Sequence, residues 1–183
     1  MLNRDQQICL LNIARNTIEE YVKHRKILEW NGNESELLNF RGAFVSLHKD
    51  HQLRGCIGYI QPIEPLYNAV IKMAIAASTQ DYRFSPVTPQ ELDDITIEIT
   101  VLSELTPIHD ISQIEVGTHG VQLTIGNHSA VFLPQVATEQ GWNREELLQY
   151  LCRKAGLRDN DWKMPDAAIS IFTGQVFSEL NIR

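Results

Sequence analysis

Seven consecutive residues, Ile95-Thr96-Ile97-Glu98-Ile99-Thr100-Val101, alternate strictly between apolar and polar. Successive side chains on a strand point to opposite faces, so such a run has one dry face and one wet face. A helix repeats every 3.6 residues and would smear this pattern around its circumference. The run therefore predicts a half-buried strand. Two predicted hairpins flank it. Residues 43–47 and 53–60 lie either side of the polar turn Lys49-Asp50-His51-Gln52, which puts His48 and His51 at the tip. Residues 121–125 and 130–133 flank the Gly126-Asn127 turn.

Helical spacing appears in four places. Ile8, Leu11, Ile18 and Val22 make the apolar stripe of a helix over residues 5–24, with Arg15, Glu19 and Lys23 on the wet side. Residues 65–80 form a second helix, whose Ala74, Ala76, Ala77 and Ser78 let another backbone come close. Thr88-Pro89-Gln90-Glu91 opens a brief third helix with a capping box. Asn143 and Glu146 cap a fourth, which buries Leu147, Leu148, Leu151 and Cys152 and closes at Gly156. A final strand covers 168–177. Hairpins dominate and no βαβ alternation is present, so the expected class is α+β with antiparallel or mixed sheets in one domain spanning 1–183. The turn-rich 84–90 and the acidic, irregular 103–115 are the expected hinges between lobes.

A net charge of −7 argues against general nucleic-acid binding, which needs excess Lys and Arg. The basic cluster 23–26 fits the end of the first helix, where cations offset the macrodipole. No segment has the apolar length of a membrane span, and the first residues do not read as a signal peptide. Cys9, Cys56 and Cys152 are odd in number, widely spaced and outside any zinc-ligand pattern, which predicts free thiols and a cytoplasmic location. No cofactor and no metal follow from the residues.

The chemistry concentrates in Leu53-Arg54-Gly55-Cys56-Ile57-Gly58. Alternation puts Leu53, Gly55, Ile57 and Tyr59 on one face and Arg54, Cys56, Gly58 and Ile60 on the other. A guanidinium about 6.6 to 7 Å along the strand favours a thiolate if its side chain folds back, over the space a glycine leaves. Gly55 and Gly58 mark a bulge or a close approach of ligand or backbone. The alternative is structural: Cys56 as small apolar filler, Arg54 paired with a carboxylate, and glycines easing curvature. Residues 81–86 form a tight loop holding Asp81 and Arg83 together.

These residues resemble the AMMECR family, also called AmmeMemoRadiSam system protein A. LRGCIG at 53–58 is similar to its signature hexapeptide. Asp81-Tyr82-Arg83-Phe84-Ser85-Pro86-Val87 resembles its D-x-R-F-x-P-V segment, with Tyr82 where many members carry Pro. Residues 97–103, 117–121, 132–142 and 154–162 resemble further family segments in the same order. The resemblance implies an α+β fold of two interleaved lobes, with the terminal segments in one, the middle in the other, and the signature strand facing a cleft between them. It also implies company: a Memo-like protein and a radical-SAM enzyme.

Two functional readings stay open. In the first, the chain is an enzyme or enzyme component. Cys56 is nucleophile or redox thiol, Arg54 holds an anionic substrate or the thiolate, His119 is general base, and Asp81 orients Arg54 or Arg83. In the second, Arg54, Arg83, Gly55 and Gly58 line a non-catalytic binding surface for a small anion, a peptide or a partner protein, and Cys56 only packs.

Overall fold

A computed structural model describes residues 1–182. The chain divides into two compact units, one of residues 1–102 with the C-terminal segment from 175, the other of residues 103–174. The architecture is α+β, with one four-stranded sheet in each unit.

In the first unit, helix α1 (Arg4–His24) starts at Asn3, whose side chain accepts from Gln6 N in a capping box. It ends at Arg25, which takes the left-handed conformation. A single turn, α2 (Ser35–Leu38), precedes strands β1 (Ala43–Lys49) and β2 (Gln52–Tyr59). Helix α3 (Leu66–Thr79) and β3 (Ile95–Leu102) follow. The first sheet has the order β2-β1-β3-β8, where β8 is Gly174–Ser178, and the β1–β2 and β1–β3 pairs are antiparallel. Ala43, Val45 and Leu47 of β1 and Ile97 and Ile99 of β3 are fully buried on the face packed by α1 and α3. Phe44, Ser46, His48, Thr96, Glu98 and Thr100 occupy the opposite, half-buried face. The alternation read at 95–101 therefore sets the inside and outside of this sheet. A terminal turn, α6 (Glu179–Ile182), closes the unit.

Arg15 does not sit on the wet side of α1. Its guanidinium donates to both Glu179 carboxylate oxygens and to the carbonyls of Leu92 and Ile95, and Glu179 also accepts from Ile97 N. The Leu92 and Ile95 carbonyls point at this helix, and the several donors of one guanidinium serve them and Glu179 together. The N-terminal helix, the central strand and the C-terminal turn are thereby tied at one point.

The second unit contains β4 (Thr106–Ile108), β5 (Gly120–Ile125), β6 (His128–Phe132) and β7 (Ala168–Phe172) in the order β4-β7-β5-β6. Helices α4 (Pro134–Gln140) and α5 (Arg144–Lys154) complete it. The sheet packs Val121, Leu123 and Ile169 against Leu147, Leu148, Leu151 and Cys152. One expectation is corrected here, and one element is added. The last strand is two strands, β7 and β8, which belong to different sheets. Helix α4, unread in the sequence, begins where Pro134 occupies the first turn. The 84–90 segment lies inside the first unit, whereas a unit boundary falls at 102/103, where the acidic stretch begins.

The small residues of α3 are explained by Gly55: a Cβ there would come within 2.2 Å of the Ala77 carbonyl oxygen. Helix backbone cannot retreat without losing its own hydrogen bonds. Gly55→Ala is expected to cost about 2 to 3 kcal/mol in denaturant unfolding. Gly58→Ala should cost a similar amount, because its Cβ would come within 2.5 Å of the Ala43 carbonyl oxygen as well as 2.3 Å of the root of the Phe44 ring.

Candidate functional site

The signature strand does not keep its predicted alternation. Leu47 pairs with Gly55 but His48 pairs with Leu53, so Arg54 is the extra residue of a β-bulge. One inserted residue shifts everything before it to the other face. Leu53 consequently stands opposite His48 and is 41% exposed instead of lying in the core with Gly55, Ile57 and Tyr59. The bulge also re-aims Arg54. Its Nε donates to Glu91 Oε1 at 3.0 Å, one terminal nitrogen to Glu91 Oε2 at 3.1 Å, and the other to the Ser85 carbonyl at 2.8 Å. Glu91 is the acid of the Thr88 capping box, so one carboxylate joins the turn at 88–91 to the strand. The paired guanidinium holds the Glu91 carboxyl down to about 2.

Gly58 leaves no vacancy for Arg54 to cross. The Phe44 ring fills it, 2.3 Å from where a Cβ would stand. The space that a glycine leaves is thus filled at Gly55 by the Ala77 carbonyl of α3 and at Gly58 by the Phe44 ring and the Ala43 carbonyl.

Asp81 is the buried acid of the site, with 4% of its surface exposed. Its Oδ2 accepts from Cys56 N at 2.9 Å and from an Arg83 terminal nitrogen at 2.7 Å. Its Oδ1 accepts from Arg83 N and Nε. The same guanidinium donates to the Cys56 carbonyl at 3.2 Å. β2 is an edge strand, and Cys56 turns both its backbone groups outward. Asp81 and Arg83 satisfy them as a neighbouring strand would, which also blocks that edge to foreign strands. The Arg83 bonds hold the Asp81 carboxyl well below the usual carboxylate range, and burial, which opposes this, is outweighed. Asp81 therefore orients Arg83, not Arg54.

Cys56 is half-buried, and its Sγ accepts from Ser46 Oγ at 3.1 Å. Ser46 lies opposite Cys56 on one side and Glu98 on the other, making one row across three strands. His48 follows two residues along β1, with Nε2 buried, without a hydrogen-bond partner among the described residues, and 4.0 Å from Glu98 Oε1. It belongs to strand β1, not to the hairpin tip, where Asp50 and His51 alone take the left-handed conformation. Ser46, Glu91 and Glu98 were not singled out in the sequence. The hairpin register could have found Ser46, and the capping box already contained Glu91.

His119 belongs to the second unit, where its Nδ1 accepts from Glu115 N at 3.1 Å in a local turn. Cys9 is half-buried on α1, where burial and the nearby Glu34 push its thiol up. Cys152 is fully buried in the core of the second unit, and burial raises its thiol too. Among the described residues no group of three or more His, Cys, Asp or Glu side chains has a metal-binding arrangement.

The AMMECR1 family model matches residues 11–177, which takes in the bulged strand, the Asp81–Arg83 loop and both sheets. The chain belongs to the AMMECR1 family. A protein of Methanothermobacter thermautotrophicus is 42% identical over 185 residues, covering 97% of this chain and 96% of the relative. One of Thermococcus kodakarensis is 41% identical over 181 residues, covering 93% and 88%. The crystal structure of an uncharacterized Pyrococcus horikoshii protein superposes with a TM-score of 0.80 at 38% identity, covering 96% of this chain and 92% of that one. In this AMMECR1 chain the strand residues 53–58 and the 81–87 segment are one physical unit, joined by Asp81–Cys56 and Arg54–Ser85 bonds.

Two outcomes follow. Asp81→Ala strands the Cys56 N–H and the Arg83 charge. The expected loss is about 2 kcal/mol, or roughly 4 to 8 °C in melting temperature for a chain of this size. Asp81 and Glu91 both have folded values below their unfolded ones of about 3.9 and 4.3, so their stabilisation is complete near pH 7. It is lost as pH falls through the folded values. Glu91→Gln should lower stability at pH 7, yet show a smaller further loss between about pH 5 and 2.5 in acid-unfolding curves.

Proposed function

We propose that this AMMECR1 chain is a binding module that acts by engaging partner proteins, a Memo-like protein and a radical-SAM enzyme being the partners its family resemblance implies. The observation that carries this reading is Tyr82. Its side chain is 95% exposed, yet it lies between Asp81 and Arg83, both fastened to strand β2. A large aromatic held out by a rigid frame gives contact area at little entropic cost, which is the chemistry of an interface anchor. Leu53, turned outward by the bulge, adds exposed apolar area on the same strand. The charges around them are spoken for internally: Arg54 by Glu91 and Ser85, Arg83 by Asp81 and Cys56. A small anion would have to displace a carboxylate from either guanidinium.

Tyr82→Ala should leave the melting temperature unchanged, because the side chain packs on little. It should weaken co-elution with purified Memo-like or radical-SAM protein of the same genome by roughly thirtyfold in Kd. Unchanged binding by the variant, or no complex with the intact chain, removes this reading.

A catalytic reading has one observation in its favour: Ser46 donates to Cys56 Sγ on the face that also carries His48 and Glu98. It predicts that Cys56 reacts with an alkylating agent faster than Cys9 and Cys152, and that His48→Ala slows it. The binding reading expects no such dependence on His48. Arg54→Gln, assayed well below its melting temperature, should leave Cys56 alkylation unchanged, since Arg54 is engaged with Glu91 and Ser85.

A further inference from the structure

Helix α1 buries Leu10, Leu11, Ala14, Ile18 and Val22, and its other side is not bare. The chain that follows it, residues 26–31, returns alongside and makes a second wall. Between them lie two depressions of about 630 and 540 Å³. They share Asn16, Leu28 and Glu29, so they form one groove. Measured along the helix from Asp5 to Glu20, it is about 22 Å long.

The groove has a defined chemistry. Ile8, Cys9, Ile13, Leu28 and Trp30 supply its apolar lining. Asp5, Glu19, Glu20 and Glu29 supply carboxylates along its length, against Lys26 as the cation among the described lining residues. Neighbouring cations have other engagements: Lys23 lies 3.5 Å from Glu19, and the Arg25 guanidinium lies over the Tyr21 ring. Glu34 stands close enough to Cys9 to raise its thiol, which adds a further negative charge beside the lining. The field of a chain with net charge −7 has the same sign. Such a surface repels nucleic acid and anionic lipid, and a strip of apolar floor between carboxylates attracts a segment with apolar and cationic residues interleaved.

We propose that the groove between α1 and residues 26–31 receives a basic, amphipathic segment of a partner protein. The apolar residues of that segment rest on Ile8, Leu28 and Trp30, while its Lys or Arg side chains reach Glu20 and Glu29. A stretch of about fifteen residues matches the groove if helical. This surface is separate from the Tyr82 loop and stands whether or not that loop binds a partner.

The test uses the full chain, isotopically labelled, and a synthetic amphipathic Leu/Lys peptide of about fifteen residues. Chemical-shift changes should be confined to residues 5–31 and saturate. Binding should weaken as salt rises, because carboxylates and cations meet at a wet surface. The double variant Glu20→Lys with Glu29→Lys should raise Kd by roughly tenfold or more. The double variant Glu139→Lys with Glu145→Lys, an equal change of charge at exposed positions of α4 and α5, should not. Leu28→Asp should weaken binding although it adds negative charge, which separates a groove from simple charge attraction. Tyr82→Ala should leave the titration unchanged. Shifts scattered over the surface, an equal effect of the Glu139→Lys and Glu145→Lys pair, tighter binding by Leu28→Asp, or binding of anionic vesicles at this groove would each overturn the proposal.

Discussion

The Asp81 carboxylate is the contact on which the first unit's chemistry depends. Buried groups at an edge strand need partners, and a free edge invites other strands. Asp81 supplies an acceptor for the Cys56 N–H and fixes the guanidinium that serves the Cys56 carbonyl. Burial alone would favour a protonated carboxyl at this position. The two-point bond from Arg83 reverses that balance, so the acid stays charged and the loop stays docked.

Arg54 does the same work one step along the strand, through Glu91 and the Ser85 carbonyl. The stretch from 81 to 91 is thus fastened to β2 at both its ends. Within it, Val87 N donates to the Ser78 carbonyl and Val87 is buried, which ties the middle to α3. A segment with so many turn residues would move freely without these bonds. With them, it holds Tyr82 in the open. Arg54, Asp81 and Arg83 are engaged with one another's neighbours in the fold, which holds this segment against β2.

The bulge shows why a correct pattern can still misplace a residue. From Gly55 to Tyr59 the period of two holds: Gly55 meets α3, Cys56 meets Ser46, and Ile57 and Tyr59 pack toward the core. One unpaired residue at Arg54 reverses the faces before it, and nothing in the six letters announces which residue is extra. The last strand failed for a related reason. Residues 168–177 look continuous as a β run, but a change of sheet at Thr173 depends on which strands wait on either side.

What the sequence determined by itself is whatever rests on contacts a few residues apart. The alternation at 95–101, the capped helices, the Gly126-Asn127 hairpin and the buried stripe with Cys152 are all local and were legible, as was the α+β class they add up to. Tertiary structure decided the distant pairings: Arg54 with Glu91, Asp81 with Cys56, Arg15 with Glu179, Ser46 with Cys56. The separations within these pairs run from ten residues to more than a hundred, and a guanidinium in a sequence has many carboxylates within reach. Only when β2, α3 and the 81–91 segment have docked does geometry leave each cation one acid. The local letters set which charges were available, and packing chose their partners because unpaired buried charges are too costly to leave.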